Sequence, residues 1–256
     1  SAPRQVINGN FRVGCVRIYQ LNNNIWSQMG NQINGENAYD FFGIKINLNS
    51  IGDIIGIGAH HATNDPNFNG RAYVYKYDGT NWNQLGSTLN GEAGNDRFGI
   101  RITLNNTGDI LAVSSHLNNN NTGYVKVYNY INNNWQQLGE TLRGNEELDY
   151  FGFSLDMSSD GDIIIVGSER AFNYKGRTSV YKYLNNLWQQ IGQDLIGNDN
   201  DQFGKLVSIN KDGTIIAISG INNTNNGKVE TYQYRNSYWY QIGQTLYGNT
   251  SNTFFG

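Results

Sequence analysis

Histidines are the side chains of this 256-residue sequence that could most directly bind a metal ion. There are three, His60, His61 and His116, and His60 and His116 hold matching positions in two neighbouring copies of an internal repeat. Two matched imidazoles could begin a metal site. However, Glu169 and Ile221 hold that position in the next copies, and no other ligand type has a fixed spacing. The pattern therefore favours solvated loop histidines, and no metal is predicted.

Aspartates form a second recurring group, because one stands just before each of four Phe-Gly pairs: Asp40, Asp96, Asp149 and Asp201. Fourfold repetition favours a structural role, in which the Asp side chain accepts hydrogen bonds from backbone N–H groups of a turn. The alternative is a weak cation-binding or polar rim. Unrepeated acids of the same loops would add to that rim: Glu36, Glu92, Glu146, Glu147 and Asp199.

These residues are placed by a repeat whose clearest marker is tryptophan. All five tryptophans fall in one column, spaced 56, 53, 53 and 51 residues apart: Trp26, Trp82, Trp135, Trp188 and Trp239. Each begins the phrase Trp-x-Gln-Φ-Gly, where Φ is apolar, and each follows a tyrosine by seven residues: Tyr19, Tyr75, Tyr128, Tyr181 and Tyr232. The two columns indicate five copies of one unit, and we expect their side chains to pack copy against copy.

Within a copy the hydrophobic pattern has the period of a β-strand. The third copy contains four such segments, FGIRITLN (98–105), DILAVSS (109–115), GYVKVYNY (123–130) and WQQLGETL (135–142). The second segment is almost entirely apolar, as in a strand buried on both faces. Turn sequences separate the segments, and no window of the chain has helical periodicity. Each copy is therefore predicted to form one four-stranded antiparallel sheet.

Sheets of this kind must stack to bury both faces. The sequence therefore predicts an all-β fold, a β-propeller of four-stranded antiparallel blades, in preference to a β-solenoid, whose coils are much shorter. A single domain is expected over 1–256, with repeats at about 1–41 (partial), 42–97, 98–150, 151–202 and 203–256. Third and fourth strands occur five times but first and second strands four times. One of about five blades is therefore incomplete, either in a five-bladed ring or in part of a larger one.

The repeat resembles a known family. Phe-Gly opens the first strand, small pairs such as Gly58-Ala59 and Gly167-Ser168 close the second, and Gly-x-Val-x-Val-Tyr marks the third. Together these motifs resemble the FG-GAP repeat, which builds the propeller of integrin α subunits and of many bacterial and algal surface proteins. The resemblance covers the whole chain. It implies an adhesion or recognition role, an extracellular or cell-surface location, and a ring that commonly has seven blades.

One motif departs from that family. Integrin-type repeats often carry an Asp-x-Asp-x-Asp-Gly calcium loop between the first two strands, and here that turn reads LNSIGD, LNNTGD, MSSDGD and INKDGT. These turns have too few carboxylates for a cation that takes six to eight oxygen ligands. The sequence therefore argues against calcium, and no cofactor is predicted.

Composition narrows the class of partner. A formal net charge of −3, with 15% charged residues, argues against a basic nucleic-acid-binding face. No apolar run approaches the roughly 18 residues of a membrane span. The single cysteine, Cys15, cannot form a disulfide within the chain. The sequence is also asparagine-rich, with 41 asparagines, which suits a fold rich in turns because Asn tolerates left-handed backbone angles.

Loop length varies only between the second and third strands, over residues 2–13, 59–69, 115–122, 168–175 and 220–226. These loops and the blade-joining loops open on the same face of the propeller, which we call the variable-loop face. We expect binding on this face. Aromatic side chains outside the repeated columns (Tyr39, Phe172 and Tyr174) could stack on sugar rings. The candidate ligand-binding residues are His60, His61, Asn64, Asp65, His116, Glu169, Arg170, Phe172 and Tyr174.

The predicted function is a non-catalytic recognition or adhesion module that binds a glycan or a protein. The chain lacks Ser-His-Asp spacing, a phosphate-binding loop and a His/Cys cluster, so it is predicted not to be an enzyme. Two alternatives stay open: a passive spacer in a large secreted or surface assembly, and a propeller glycosidase with carboxylates from distant blades. Expected partners are the ligand and other domains or chains of a larger secreted protein, without nucleic acid or membrane insertion.

Overall fold

A computed structural model of the chain describes residues 1–61, 69–92, 95–221 and 227–249. The described residues form antiparallel sheets stacked side by side, and the predicted β-propeller fold with four-stranded antiparallel blades is confirmed. In each complete blade the strands are hydrogen-bonded in chain order, so neighbouring strands are joined by short connections. None of the helices in these ranges has the length and apolar character needed to cross a membrane.

The strands follow the repeat. The first copy provides β1 (Cys15–Val16), β2 (Tyr19–Asn22), β3 (Ile25–Gln28) and β4 (Ile33–Asn34). The second blade contains β5 (Lys45–Leu48), β6 (Ile54–Ala59), β7 (Arg71–Tyr77), β8 (Trp82–Gln84) and β9 (Leu89–Asn90). The third contains β10 (Arg101–Leu104), β11 (Ile110–Ser115), β12 (Tyr124–Ile131), β13 (Asn134–Gln137) and β14 (Leu142–Arg143). The fourth contains β15 (Phe151–Met157), β16 (Ile163–Ser168), β17 (Arg177–Leu184), β18 (Leu187–Gln190) and β19 (Leu195–Ile196). The fifth contains β20 (Leu206–Ile209), β21 (Ile215–Gly220), β22 (Lys228–Arg235) and β23 (Tyr238–Tyr247).

The fourth strand of the middle blades is broken in two, whereas the sequence predicted one continuous strand over 135–142. In the third blade, β13 and β14 pair with opposite ends of β12. Gly139 lies between them with a φ of 74°. A Cβ atom on Gly139 would lie 2.8 Å from Cδ1 of Trp188, so the close approach of the next blade requires glycine here. The break therefore follows from blade stacking, which strand periodicity does not encode.

Two four-residue helices on the variable-loop face also depart from the prediction that no segment is helical. They are α1 (Asn118–Asn121) and α2 (Ala171–Tyr174), and both contain residues with left-handed angles, such as Asn119 and Phe172. They are tight loops, closed by local backbone bonds such as that from Tyr174 N to Arg170 O. Segments this short have no periodicity from which a helix can be predicted.

The apolar core lies between blades. Each of four buried clusters takes residues from two neighbouring blades; one joins Ile54 and Val74 of the second blade to Phe98 and Val113 of the third. The first strands of successive blades, β5, β10, β15 and β20, contact one another in turn. They therefore form the inner edge of the stack, and the variable loops begin where the neighbouring second strands end.

The tryptophan column joins each blade to the blade before it. The indole Nε1 donates a hydrogen bond to the backbone oxygen of the Φ residue of the preceding copy, at 2.8–3.0 Å, in four pairs: Trp82–Met29, Trp135–Leu85, Trp188–Leu138 and Trp239–Ile191. The fifth member, Trp26, is 66% exposed in the first copy.

The tyrosine column packs on the phenylalanines that open the blades. Three of its members meet a Phe-Gly phenylalanine edge to face: Tyr75 with Phe42, Tyr181 with Phe151, and Tyr232 with Phe203. Tyr128 is buried, and Tyr19, which like Trp26 belongs to the first copy, is exposed.

Candidate functional site

The aspartate before each Phe-Gly pair holds the blade-joining loop. One carboxylate oxygen accepts a backbone N–H from the start of that loop at 2.7–3.2 Å in four places: Asn37 to Asp40, Glu92 to Asp96, Asn145 to Asp149 and Asn198 to Asp201. All four aspartates are buried. They therefore fix the loops that border the variable-loop face.

These aspartates have a second partner that the sequence reasoning missed. The Tyr124 hydroxyl donates to Asp96 at 2.9 Å, Arg177 pairs with Asp149 at 2.8 Å, and Lys228 pairs with Asp201 at 2.5 Å. In the two ion pairs every side chain is at most 5% exposed. A signal was present, because the position after the glycine that precedes each third strand reads Arg71, Tyr124, Arg177 and Lys228.

A cavity of about 300 Å³ opens on the variable-loop face between the third and fourth blades. It is lined by one blade-joining loop and one variable loop: Glu146, Glu147, Leu148, Asp149, Arg170, Phe172, Asn173 and Tyr174. Three of the predicted ligand-binding residues, Arg170, Phe172 and Tyr174, are therefore brought together in one wall. Phe172 and Tyr174 are each 41% exposed, so both residues can be reached from solvent.

The chemistry of this cavity combines flat rings with hydrogen-bonding groups. Arg170 lies 4.3 Å from the ring centroid of Tyr150 and 5.5 Å from that of Tyr174, which orders the guanidinium. Glu146 and Glu147 are exposed, and Glu147 accepts a hydrogen bond from the Asn120 side chain at 2.9 Å. Apolar surface beside a few fixed polar groups is the usual composition of a small-ligand site.

The predicted histidines lie outside this cavity, at the inner edge. His60 contacts Phe41 at a centroid distance of 5.3 Å and His61 at 6.0 Å. His116 packs between Tyr150 and Phe153 of the next blade and is 8% exposed. The expectation of solvated loop histidines is therefore wrong for His116, because the neighbouring blade covers it.

The remaining predicted residues divide into two groups. Glu169 is buried and pairs with Arg170 at 3.7 Å and with Lys205 at 4.0 Å. Asn64 and Asp65 lie outside the described residues. Across the described ranges, no group of three or more His, Cys, Asp or Glu side chains is arranged to hold a metal ion.

Acid is expected to destabilise the fold through His116, which is buried, and His60, which is half-buried. Burial is the main cause that lowers the pKa of His116 from 6.5 to about 3 and that of His60 to about 4, with Arg97 and Arg101 lowering both further. In the unfolded chain these rings take up protons near pH 6.5. The unfolded state therefore binds more protons than the folded state below pH 6.5, and stability falls as the pH falls towards 4.

Substituting His116→Phe isolates this effect, since the ring contacts with Tyr150 and Phe153 persist while the titrating group is removed. Between pH 7 and pH 4 the wild type is expected to lose about 2–3 kcal/mol more unfolding free energy than the variant. Urea denaturation at several pH values measures the difference, and carboxylates that titrate in both proteins cancel. Parallel pH profiles would show that His116 is not held neutral.

The opposite face, where the turns between first and second strands lie, contains a cavity of about 220 Å³. Its lining is made of repeated positions that tie blades together; for example, the Asn47 side chain accepts the Leu104 N–H at 2.8 Å, and Asp156 accepts that of Ile209 at 3.0 Å. One of these turns is closed by Asn49, whose Oδ1 accepts the N–H groups of Asp53 and Ile54. Residues of this face are engaged in holding the scaffold.

Comparison with known proteins gives one relative in sequence. No protein-family model matches the chain. Over 224 residues the chain is 30% identical to integrin alpha-2 from Bos taurus, which covers 79% of this chain and 18% of that protein. The chain thus spans about 18% of the length of this relative. It is a propeller module similar in sequence to part of an integrin α subunit.

One solved structure shares the fold at low identity, and a second is less similar. A protein named as a 6-phosphogluconolactonase from Bacteroides uniformis has a TM-score of 0.55 and 11% identity, over 86% of this chain and 62% of that chain. TolB from Acinetobacter baumannii has a TM-score of 0.47 and 12% identity, over 82% of this chain and 45% of that chain. At such identities the likeness shows the fold alone.

The first of these structures corrects one prediction. The sequence led us to expect that the chain is not an enzyme, and that prediction is wrong, since a neighbour of the same fold is named as a 6-phosphogluconolactonase. The reasoning relied mainly on motifs that are close together in sequence and kept carboxylates from distant blades only as an alternative. Propeller blades can bring together side chains that are far apart in the chain, so missing local motifs do not exclude catalysis.

Proposed function

We propose, from the likeness to integrin alpha-2 and from the cavity on the variable-loop face, that this chain is an FG-GAP-type recognition module that binds a glycan. The setting would be extracellular or at a cell surface. The chain would contribute blades to a larger, seven-bladed ring. Other domains or chains of the same assembly would be its further partners.

The observation that carries the proposal is the cavity of about 300 Å³ between Phe172, Tyr174 and the acids Glu146 and Glu147. Apart from Asp149, which holds the loop, its residues are unrepeated ones, whereas the repeated tryptophan and tyrosine columns pack blade on blade. The two rings offer flat apolar surface to the face of a sugar ring, and the carboxylates offer acceptors to sugar hydroxyls. A rigid scaffold that carries variable loops is the usual arrangement of a binding site.

The size of the cavity favours a glycan over a protein as its occupant. A volume of about 300 Å³ lies at the lower end of the range for small-ligand pockets. A stable protein interface buries roughly 800 Å² on each partner, far more than this cavity offers. We therefore propose a glycan as the ligand, and the experiment must distinguish it from a protein ligand.

Glycan-array binding tests the proposal. The wild type is compared with the double variant Phe172→Asn/Tyr174→Asn, because asparagine removes the rings but tolerates the left-handed φ angles of 54° and 67° at these positions. The matched control is Tyr238→Asn/Tyr240→Asn, which removes two similarly exposed rings on the outer strand β23. We expect saturable, selective binding that the cavity variant weakens by about tenfold or more and the control leaves unchanged.

Other outcomes count against the proposal. An equal loss of glycan binding in both double variants would mean that exposed aromatic rings bind sugars non-specifically and not in the cavity. A blank array, with and without chelator, would overturn glycan recognition and leave a protein ligand or a spacer role. Binding that disappears only with chelator would show that a cation takes part, contrary to the composition of the turns.

A further inference from the structure

Positive charge collects at the inner edge of the variable-loop face, although the chain carries a formal net charge of −3. Arg97, Arg101 and Arg170 all lie close enough to His116 to lower its pKa electrostatically. Lys205 joins them through Glu169, which pairs with both Lys205 and Arg170. We call Arg97, Arg101, Arg170 and Lys205 the inner cationic cluster. Glu169 is a single buried carboxylate that pairs with Arg170 and Lys205 and also acts electrostatically on Arg101, so the four cations keep an excess of positive charge.

Arg101 is the half-buried member for which no ion pair exists within the described ranges. Its Nη1 donates to the backbone oxygen of Ile100 at 3.0 Å, and its guanidinium lies over the Phe153 ring at 5.3 Å. Burial lowers the pKa of Arg101 more than the nearby charge of Glu169 raises it, so that carboxylate compensates the buried guanidinium only in part. A guanidinium removed from water favours an anion that can accept two parallel hydrogen bonds.

Unpartnered imidazole nitrogens lie beside this guanidinium. Nδ1 of His60 and Nδ1 of His116 are both buried and have no hydrogen-bond partner in the part of the chain that the structure describes. Contacts with Phe41 and Phe153 hold the two rings in place. A neutral imidazole has one N–H to donate, and a buried polar group without a partner costs free energy. Two neighbouring blades thus each present an unsatisfied ring nitrogen next to unpaired positive charge.

We propose that the inner cationic cluster, together with His60 and His116, binds an oxyanion, a carboxylate or sulfate group carried by the ligand of the variable-loop face. Arg101 supplies the charge and the bidentate donors, and the imidazoles supply further N–H groups. Arg170 belongs both to the cluster and to the lining of the 300 Å³ cavity, which makes the two sites neighbours. The identity of the ligand rests on the proposed function, under which it is an acidic saccharide.

Isothermal titration calorimetry tests the anion site in two steps. Sodium sulfate is titrated first, against sodium chloride at equal ionic strength, because this reports on the site without any sugar. Dextran sulfate oligomers are then compared with uncharged dextran of the same length, and oligogalacturonate with its methyl ester. The two pairs distinguish a sulfate from a carboxylate as the anionic group.

The variants are Arg101→Gln and the control Arg235→Gln, which removes the same charge from the strand β22, where Arg235 lies over Tyr240. We expect Arg101→Gln to weaken sulfate and dextran sulfate or oligogalacturonate binding by about tenfold or more, and Arg235→Gln to change it by less than about twofold. His116→Phe keeps the ring contacts but deletes the nitrogen, so a severalfold loss in that variant supports the site even where Arg101→Gln fails to fold.

The outcomes separate this inference from the proposed function. Sulfate binding that Arg101→Gln abolishes supports the anion site even when the glycan array is blank. Glycan binding with equal affinity for charged and uncharged oligomers retains the recognition module but overturns the anion site. Equal losses in the Arg101 and Arg235 variants would reduce the effect to general electrostatics and overturn it as well.

Discussion

Replacing Trp135 with alanine is expected to lower the free energy of unfolding by about 3–5 kcal/mol, whereas replacing Trp26 is expected to change it by less than about 0.5 kcal/mol. The two residues occupy the same column of the repeat. Trp135 is 5% exposed and donates its indole N–H to Leu85 O of the preceding blade, while Trp26 is 66% exposed. The difference between two chemically identical substitutions therefore measures the contribution of one blade junction.

Urea denaturation followed by far-ultraviolet circular dichroism measures both variants, since the backbone of the sheets gives a signal that persists when one tryptophan is removed. Trp135→Phe is the control that keeps most of the packing and removes the hydrogen bond, at a cost of about 1 kcal/mol. Similar losses for the Trp26 and Trp135 variants would contradict the view that the column acts through the preceding blade. That result would indicate that each tryptophan stabilises the hairpin of its own blade instead.

The repeated columns made the fold predictable from sequence. Each copy meets nearly the same neighbours, so Trp, Tyr and Phe-Gly recur wherever one blade packs on the next. Strand periodicity then located the four strands of each blade. The break in the fourth strand was not predicted, because it depends on how closely the tryptophan of the next blade approaches Gly139. That approach is a property of two copies together, which the pattern of one copy does not contain.

The candidate site was predicted only in part. The variable-loop face and the residues Arg170, Phe172 and Tyr174 were chosen because they fall outside the repeat, and the structure gathers them in one cavity. The acids Glu146 and Glu147 come from another loop, and no spacing in the sequence joins the two loops. The burial of His116 was also missed, because the rings that cover it belong to the next blade.

Within a single loop, a repeated residue thus stabilises the loop, while unrepeated residues are available to contact a ligand. Asp149 is a repeated residue that lies in the lining of the cavity, while the unrepeated Glu146 and Glu147 stand beside it. Its buried carboxylate fixes the loop by accepting backbone N–H groups and by pairing with Arg177. The shape of the cavity therefore depends on the Asp149–Arg177 ion pair, even if a ligand makes no contact with that pair.

Asp149→Asn is accordingly expected to lower the unfolding free energy by about 3–5 kcal/mol, because Arg177 would be left buried without an anion. The pair is 2.8 Å apart with side chains 4% and 5% exposed, and Nε of Arg177 has no partner among the described residues. Asp96→Asn is the matched control. Asp96 faces the neutral Tyr124 hydroxyl and Asn118 amide, so that substitution is expected to cost about 1–2 kcal/mol.

Urea denaturation at pH 7 measures the difference between these two variants, and the double variant Asp149→Asn/Arg177→Met separates its causes. If the loss comes from an uncompensated charge, removing Arg177 as well recovers part of it, because the buried cation is gone. If the carboxylate acts mainly as an acceptor for the loop, the double variant is no more stable than Asp149→Asn, and Asp96→Asn costs as much as Asp149→Asn. The first result would place the stability of this loop in its ion pair, and the second in the hydrogen bonds that every copy shares.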